Sequence, residues 1–164
     1  MRVWRDFLRT HAELTVVLGR ELEQERGLPL TWYDVLVTLS EAPGGRLRMG
    51  ELAAAVAFSR SGLTRLVDRM VAAGLVTRHR STTDRRVTYA ELTTEGRTVL
   101  RRAAPTHLRG VDAYFTALVG EDEAVLLHRF FSRVLERLND LDEIASANEI
   151  ASANMVGGIA AGQN

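Results

Sequence analysis

The chain has 164 residues, 46% hydrophobic and 26% charged, a balance that suits a folded globule and not a disordered chain. Cysteine is absent, which excludes disulfides, thiolate nucleophiles, iron–sulfur clusters and thiol-based redox sensing. The net charge is zero, yet residues 46–102 carry 12 Arg against 5 acids while the rest carries 9 Arg against 16, so a segment of +7 faces flanks of −7.

All the basic residues are Arg and none is Lys, which genome composition alone can produce. No apolar run approaches the roughly 20 residues that cross a bilayer. Met1-Arg-Val-Trp-Arg-Asp6 has charges among its apolar residues and no small-residue cleavage site, so it does not read as a secretory signal. The expectation is a soluble, cytoplasmic protein with no membrane partner.

Residues 2–26 read as a helix, with Val3, Phe7, Leu14, Val17, Leu18 and Leu22 at spacings of three and four, stopped by Gly27 and Pro29. Thr31 is the expected cap of a second helix, which buries Val35, Leu36 and Leu39 and ends in a turn at Pro43-Gly44-Gly45. Residues 49–56 read as a short helix burying Leu52 and Val56, with a poor N-cap in Arg48 or Met49. After Ala57-Phe58, Ser59 caps a longer helix that ends near Ala73, with Gly74 behind it. On its wheel Leu63, Leu66, Val67 and Met70 share one face. Ser61, Arg65 and Asp68 fall opposite, flanked by Thr64 and Arg69. Two short helices with a tight joint, the second with a polar outer face, are the layout of a helix-turn-helix.

Residues 75–80 and 86–92 are β-branched stretches around a short polar loop, which predicts a hairpin, here a wing. Arg78, Arg80, Arg85 and Arg86 lie on its loop and shoulders. Thr93 or Thr94 caps the next helix, expected to run to Leu118 or Val119 with a kink or break at Pro105. After Gly120, the acids 121–123 suit the first turn of a last helix, expected to bury Leu126, Leu127, Phe130, Phe131, Val134, Leu135 and Leu138. The tail repeats Glu-Ile-Ala-Ser-Ala-Asn at 143–148 and 149–154. It reads as a neutral duplication, helical to about Asn154, since two hexamers do not make a solenoid.

The string from Ser59 to Gly96, with its Asp84-Arg85-Arg86 loop and Leu92-Thr-Thr-Glu-Gly96 close, resembles the MarR family of winged-helix regulators. The helical order resembles that family over roughly residues 2–139; the weak polar start of the helix at 49–56 departs from it. The expected fold is mainly α with a small β-wing. A winged helix-turn-helix domain (31–93) lies between an N-terminal dimerisation helix (1–30) and C-terminal dimerisation helices (94–140), followed by the tail (141–164). The resemblance implies a DNA-binding transcription regulator: a ligand-responsive repressor that binds a pseudo-palindromic operator as a homodimer.

The residues fit that chemistry independently. Such a helix enters the major groove with its N-terminal part leading, which brings Ser59, Arg60, Ser61, Thr64 and Arg65 near double-stranded DNA. Arg65 can fork onto guanine O6 and N7. The hydroxyls can bond bases or phosphates, and Arg69, one turn back, suits a phosphate. The bland alternative for Arg65 and Arg69 is a solvated face paired with Asp68. Arg85 at the loop tip is either a mobile surface side chain or an insertion into the minor groove. Asp84 either braces the loop or holds an Arg guanidinium, with Arg86 a candidate partner; the resemblance assigns these same roles to Asp84 and Arg85.

His11, His79, His107 and His128 are too scattered to form a metal site, and no catalytic motif appears, so neither a metal, a cofactor nor an enzyme is expected. The competing reading is a winged-helix protein–protein interaction module, which an acidic or apolar recognition face would favour; this face carries Arg and Ser. The resemblance also implies a small aromatic-acid effector between the dimerisation helices and the winged helix. His11, Trp32 and His107 are the candidate contacts, each with an ordinary core or surface role as the alternative.

Overall fold

A computed structural model of the chain describes residues 1–81, 84 and 86–160, with side chains described as far as Leu141. The chain divides into two units, Met1–Thr116 and Ala117–Asn164.

In the first unit, helix α1 (Arg2–Arg26) ends where Gly27 adopts φ +61°, a left-handed cap that glycine takes without a Cβ clash. Helix α2 (Leu30–Glu41) starts one residue before the predicted cap. Pro29 is the N-cap and its carbonyl accepts the N–H groups of Trp32 and Tyr33, so Thr31 lies inside the first turn and caps nothing. A 3₁₀ turn at Pro43–Gly45 leads into strand β1 (Arg46–Arg48). This strand has no counterpart in the predicted elements. Helix α3 (Met49–Ala55) follows directly, and its N-terminus is better served than its sequence suggests. The Glu51 carboxylate accepts the Arg48 backbone N–H at 3.0 Å and pairs with the Arg48 guanidinium at 3.6 Å. This is the acidic half of a capping box, supplied from the third helical position.

The joint Val56–Ser59 contains Ala57 at φ +53°. Ser59 caps helix α4 (Arg60–Ala72) by accepting the Gly62 N–H at 3.1 Å. Strands β2 (Val76–Arg80) and β3 (Thr88–Leu92) form the antiparallel wing, and β1 pairs with β3, giving the order β1-β3-β2. Thr93 caps helix α5 (Thr94–Tyr114): its hydroxyl oxygen accepts the Gly96 N–H at 2.9 Å and faces the carbonyls of Gly74 and Leu75 at 2.8 and 3.0 Å. A Cβ on Gly96 would come within 2.2 Å of the Leu75 carbonyl oxygen, so glycine permits this seating.

Helix α5 runs through Pro105 without a break and stops at Tyr114, earlier than predicted. Phe115 leaves helical geometry at φ −137°, and a 3₁₀ turn covers Thr116–Leu118. The core joins Leu22 of α1, Val35, Leu36 and Leu39 of α2, Leu52 of α3 and Ala90 of β3 to Leu63, Leu66, Val67 and Met70 of α4. The predicted buried stripe of α4 is therefore the observed one. Helix α1 is tied to α5 by a polar cluster. Buried Thr106 accepts from Arg26 Nε at 2.9 Å and donates to Glu25 at 3.1 Å, while Arg109 donates to Glu25 at 2.7 Å. Tyr114 donates to Glu21.

The second unit holds helix α6 (Glu121–Ala160), which extends past the predicted end near Asn154. The expectation that its apolar stripe is buried is not met within one chain. Leu126, Leu127, Phe130, Val134, Leu135 and Leu138 are exposed, and Phe131 is half-buried. Among the described residues no helix is long and apolar enough to cross a membrane.

Candidate nucleic-acid interface

The outer face of α4 carries Arg60, Ser61, Arg65, Asp68 and Arg69, all exposed, because the 3.6-residue repeat commits Leu63, Leu66, Val67 and Met70 to the core. Ser59 and Thr64 are partly occupied by the helix itself. Ser59 Oγ holds its cap bond, and the Thr64 hydroxyl donates to the Arg60 carbonyl at 2.9 Å. Ser61 Oγ lies 3.5 Å from Ser59 Oγ.

Asp68 does not pair with Arg65 or Arg69. Its carboxylate is ion-paired to Arg78 of β2. Strand alternation explains the reach. Val76 and Leu92 are partners, as are Arg78 and Ala90, so Arg78 continues the core-facing row of β2 beyond the edge of the core and meets α4 there. Among the described residues, no ion pair involves Arg60, Arg65 or Arg69. Their charge stays available to an external anion.

Between α4 and the wing lies a cleft of about 420 Å³, lined among others by Arg48, Glu51, Thr64, Arg78, Arg86 and Thr88. It brings together three of the predicted residues, Thr64, Arg78 and Arg86. It adds two that sequence reasoning passed over, Arg48 and Glu51. The available signal was the Arg-Leu-Arg alternation at 46–48 followed by Glu three residues after Arg48. On the other side of the sheet, Tyr89 receives Arg46 over its ring at 5.5 Å and stacks with His79 at 5.8 Å. His79 Nδ1 lies 3.6 Å from Glu91.

In the wing loop, Asp84 takes the bracing role. Its carboxylate accepts the Arg86 backbone N–H at 2.9 Å, its own N–H points to Ser81 Oγ at 3.3 Å, and its carbonyl accepts from Val87 at 3.0 Å. Arg86 is thus its partner through the amide. Arg80 is exposed at the end of β2. Arg85, predicted to enter the minor groove, lies outside the described residues.

Of the three effector candidates, His107 lines a groove of the described residues. A groove of about 570 Å³ opens between α2, the joint after α3, and α5, and His107 lines it with Tyr33, Asp34, Thr38, Glu41 and Ala57. Neither His11 nor Trp32 lines this groove. His11 is exposed on α1, its ring 6.4 Å from Phe7, and Trp32 packs against the core. The His107 ring lies 4.4 Å from that of Tyr33. Burial pushes the His107 imidazole below the ordinary histidine range, partly offset by Asp34, and pushes the Asp34 carboxyl up, partly offset by His107.

A family model described as the MarR family matches residues 26–87. The chain is 27% identical over 118 residues to the transcriptional repressor MprA of Escherichia coli, covering 72% of this chain and 66% of that protein, so it spans just under two thirds of that relative's length. AbsC from Streptomyces coelicolor, whose structure is that of a MarR family transcriptional regulator, superposes with a TM-score of 0.77 at 35% identity, over 84% of this chain and 92% of that one. Sco3205, a MarR family transcriptional regulator of the same organism solved in complex with DNA, superposes with a TM-score of 0.76 at 36% identity, over 82% and 84%.

Proposed function

Because the chain belongs to the MarR family, we propose that it is a cytoplasmic transcriptional repressor that binds a pseudo-palindromic operator in double-stranded DNA as a homodimer. The observation that carries this reading is the exposed face of α4, where Arg60, Arg65 and Arg69 have no ion pair among the described residues, beside the Arg-lined cleft at the wing. Helix α4 enters the major groove, with Arg65 as the base-reading fork and Ser59, Arg60, Ser61, Thr64 and Arg69 at bases and phosphates. Arg78, Arg80 and Arg86 follow the phosphate backbone. Arg85 reaches the minor groove from a loop that Asp84 braces.

Dimerisation supplies the second α4. The exposed stripe of α6 and the apolar N-terminal residues of α1, including Val3 and Trp4, are the surfaces that a second copy covers. Two half-sites then lie about one helical turn, roughly 34 Å, apart.

Salt dependence tests this reading. If the dimer neutralises about six to ten phosphates, operator affinity falls by about 10³–10⁵ between about 50 and 200 mM salt. A flat salt response, or no binding to any fragment of the source genome at low salt, refutes DNA regulation.

A further inference from the structure

We propose that the arginines along the β1 edge of the sheet form a second phosphate-binding track, which holds the DNA flanking each half-site where the duplex runs on past the wing. This inference rests on the DNA-binding reading. Seven of the 12 arginines in the basic segment 46–102 are used by that reading. Arg46, Arg48, Arg97, Arg101 and Arg102 are not, and all five are exposed. Among the described residues Arg48 pairs with Glu51, and no ion pair involves the other four.

Arg46 and Arg97 are held by groups that leave their charge intact. The Arg46 guanidinium lies over the Tyr89 ring at 5.5 Å. Its cross-strand partner is Glu91, but that carboxylate lies 3.6 Å from His79 and makes no ion pair with Arg46. The Arg97 guanidinium rests against Gly45, the residue before Arg46, in the space that a Cβ on Gly45 would fill. Gly45 has φ +72°, so glycine both makes the turn into β1 and gives Arg97 its seat. Glu95, in the first turn of α5, has no ion pair among the described residues. Adjacent residues of the chain thus each carry an anchored guanidinium without a neutralising carboxylate. Like charges so placed repel, and an external phosphate relieves that repulsion while matching the forked donors of arginine.

The occupant is a DNA backbone because the track joins the interface described above. In the order β1-β3-β2, β1 is an edge strand. Arg48 on that edge lines the cleft between α4 and the wing together with Arg78 and Arg86. From Arg48 the edge leads back to Arg46 and then to Arg97 on α5, and Arg101 follows one helical turn further on. A row of exposed arginines suits a polymer that offers successive phosphates better than a single small anion.

The test uses the full chain and the site it selects from a random pool, in two duplexes. One ends at the outer edges of the half-sites; the other runs about one helical turn, roughly 10 base pairs, further on each side. The logarithm of affinity should fall more steeply with the logarithm of salt concentration on the extended duplex. The slopes should differ by roughly three to four, for two added phosphate contacts per protomer of a dimer. Arg46→Ala combined with Arg97→Ala should remove that difference and leave the short duplex bound as before. Arg46→Lys combined with Arg97→Lys keeps both charges and should keep the difference. Arg97→Gln alone, at an exposed helix position, should remove about half of it, which holds the test open if the double Ala variant does not fold. Equal slopes of the parent chain on the two duplexes overturn the track and leave the DNA reading standing. A difference that survives Arg97→Gln, or an equal loss on both duplexes in that variant, overturns it too. No binding of the parent chain to either duplex overturns the DNA reading, and the track with it.

Discussion

The carboxylate of Asp68 on α4 and the guanidinium of Arg78 on β2 form an ion pair that ties the helix read as the major-groove element to the base of the wing. Their side chains are 56% and 32% exposed, so the pair adds little to global stability. Its geometric effect is larger, because it links two elements that approach DNA separately.

Asp68→Asn should therefore lower the ratio of operator to random-sequence affinity. Removing a negative charge from an arginine-bearing face strengthens non-specific binding, while the wing loses its tie to α4. The melting temperature should change little, since exposed pairs contribute about 0.2–1 kcal/mol. Competition titrations of Asp68→Asn, Arg78→Ala and the double variant provide the check. The two effects on specificity should be non-additive; independent effects would show that the pair does not transmit position.

Arg65→Ala should relax preference at one base pair per half-site, by about 1–3 kcal/mol against the wrong base, with folding intact because Arg65 lies on the exposed face of α4. Arg85→Ala should act on flanking, A·T-rich positions instead. Selection of bound sequences from a random pool distinguishes the two patterns. Circular dichroism checks that both variants stay folded.

Ala57→Gly should stabilise the chain by up to about 1 kcal/mol. A left-handed conformation costs a non-glycine residue roughly 1–2 kcal/mol, and glycine's greater freedom in the unfolded chain takes part of that back. Ala57 is exposed and its φ is +53°, so little packing is lost. Urea unfolding measures the change.

Gly96→Ala should have the opposite sign. The added Cβ would sit 2.2 Å from the Leu75 carbonyl oxygen and 2.8 Å from Leu92 Cδ1, so the start of α5 must move off the sheet. A loss of about 1–3 kcal/mol, the usual range for overpacking, is expected in the same unfolding experiment.

Glu25 predicts part of the acid response. Its carboxyl is held below the ordinary glutamate range, first by the hydrogen bond from Arg109 and then by that from Thr106. The folded state therefore binds this proton less readily than the unfolded chain. The contribution is fully present above the unfolded pKa and is lost as pH falls through the lower folded value. Glu25→Gln should be less stable than the parent chain at neutral pH. Its stability should also fall less steeply between about pH 5 and 3, seen as converging denaturation midpoints.

Most of the elements were legible because they are decided within a few residues. Ser59 and Thr93 cap α4 and α5, Gly27 and Gly74 take positive φ behind helix ends, and the period of α4 separates its arginines from its core leucines. Capping and periodicity are local, so a single chain displays them. Strand β1 was not legible, because Arg46–Arg48 is too short to announce itself and is a strand only through its pairing with β3, whose partners lie 45 positions (Arg46↔Glu91) to 41 positions (Arg48↔Tyr89) along the chain. The ion pair of Asp68 with Arg78 was hidden likewise: Arg65 and Arg69 are its sequence neighbours, and only the path of β2 past α4 decides which arginine it takes. The groove at α2 and α5 is the clearest case. The sequence suggested an aromatic-acid site built from His11, Trp32 and His107, but helix packing puts His107 beside Asp34 and Glu41 and leaves the other two elsewhere. Residues about 70 positions apart share no period. Their charge and burial become a common environment only once α2 and α5 lie side by side.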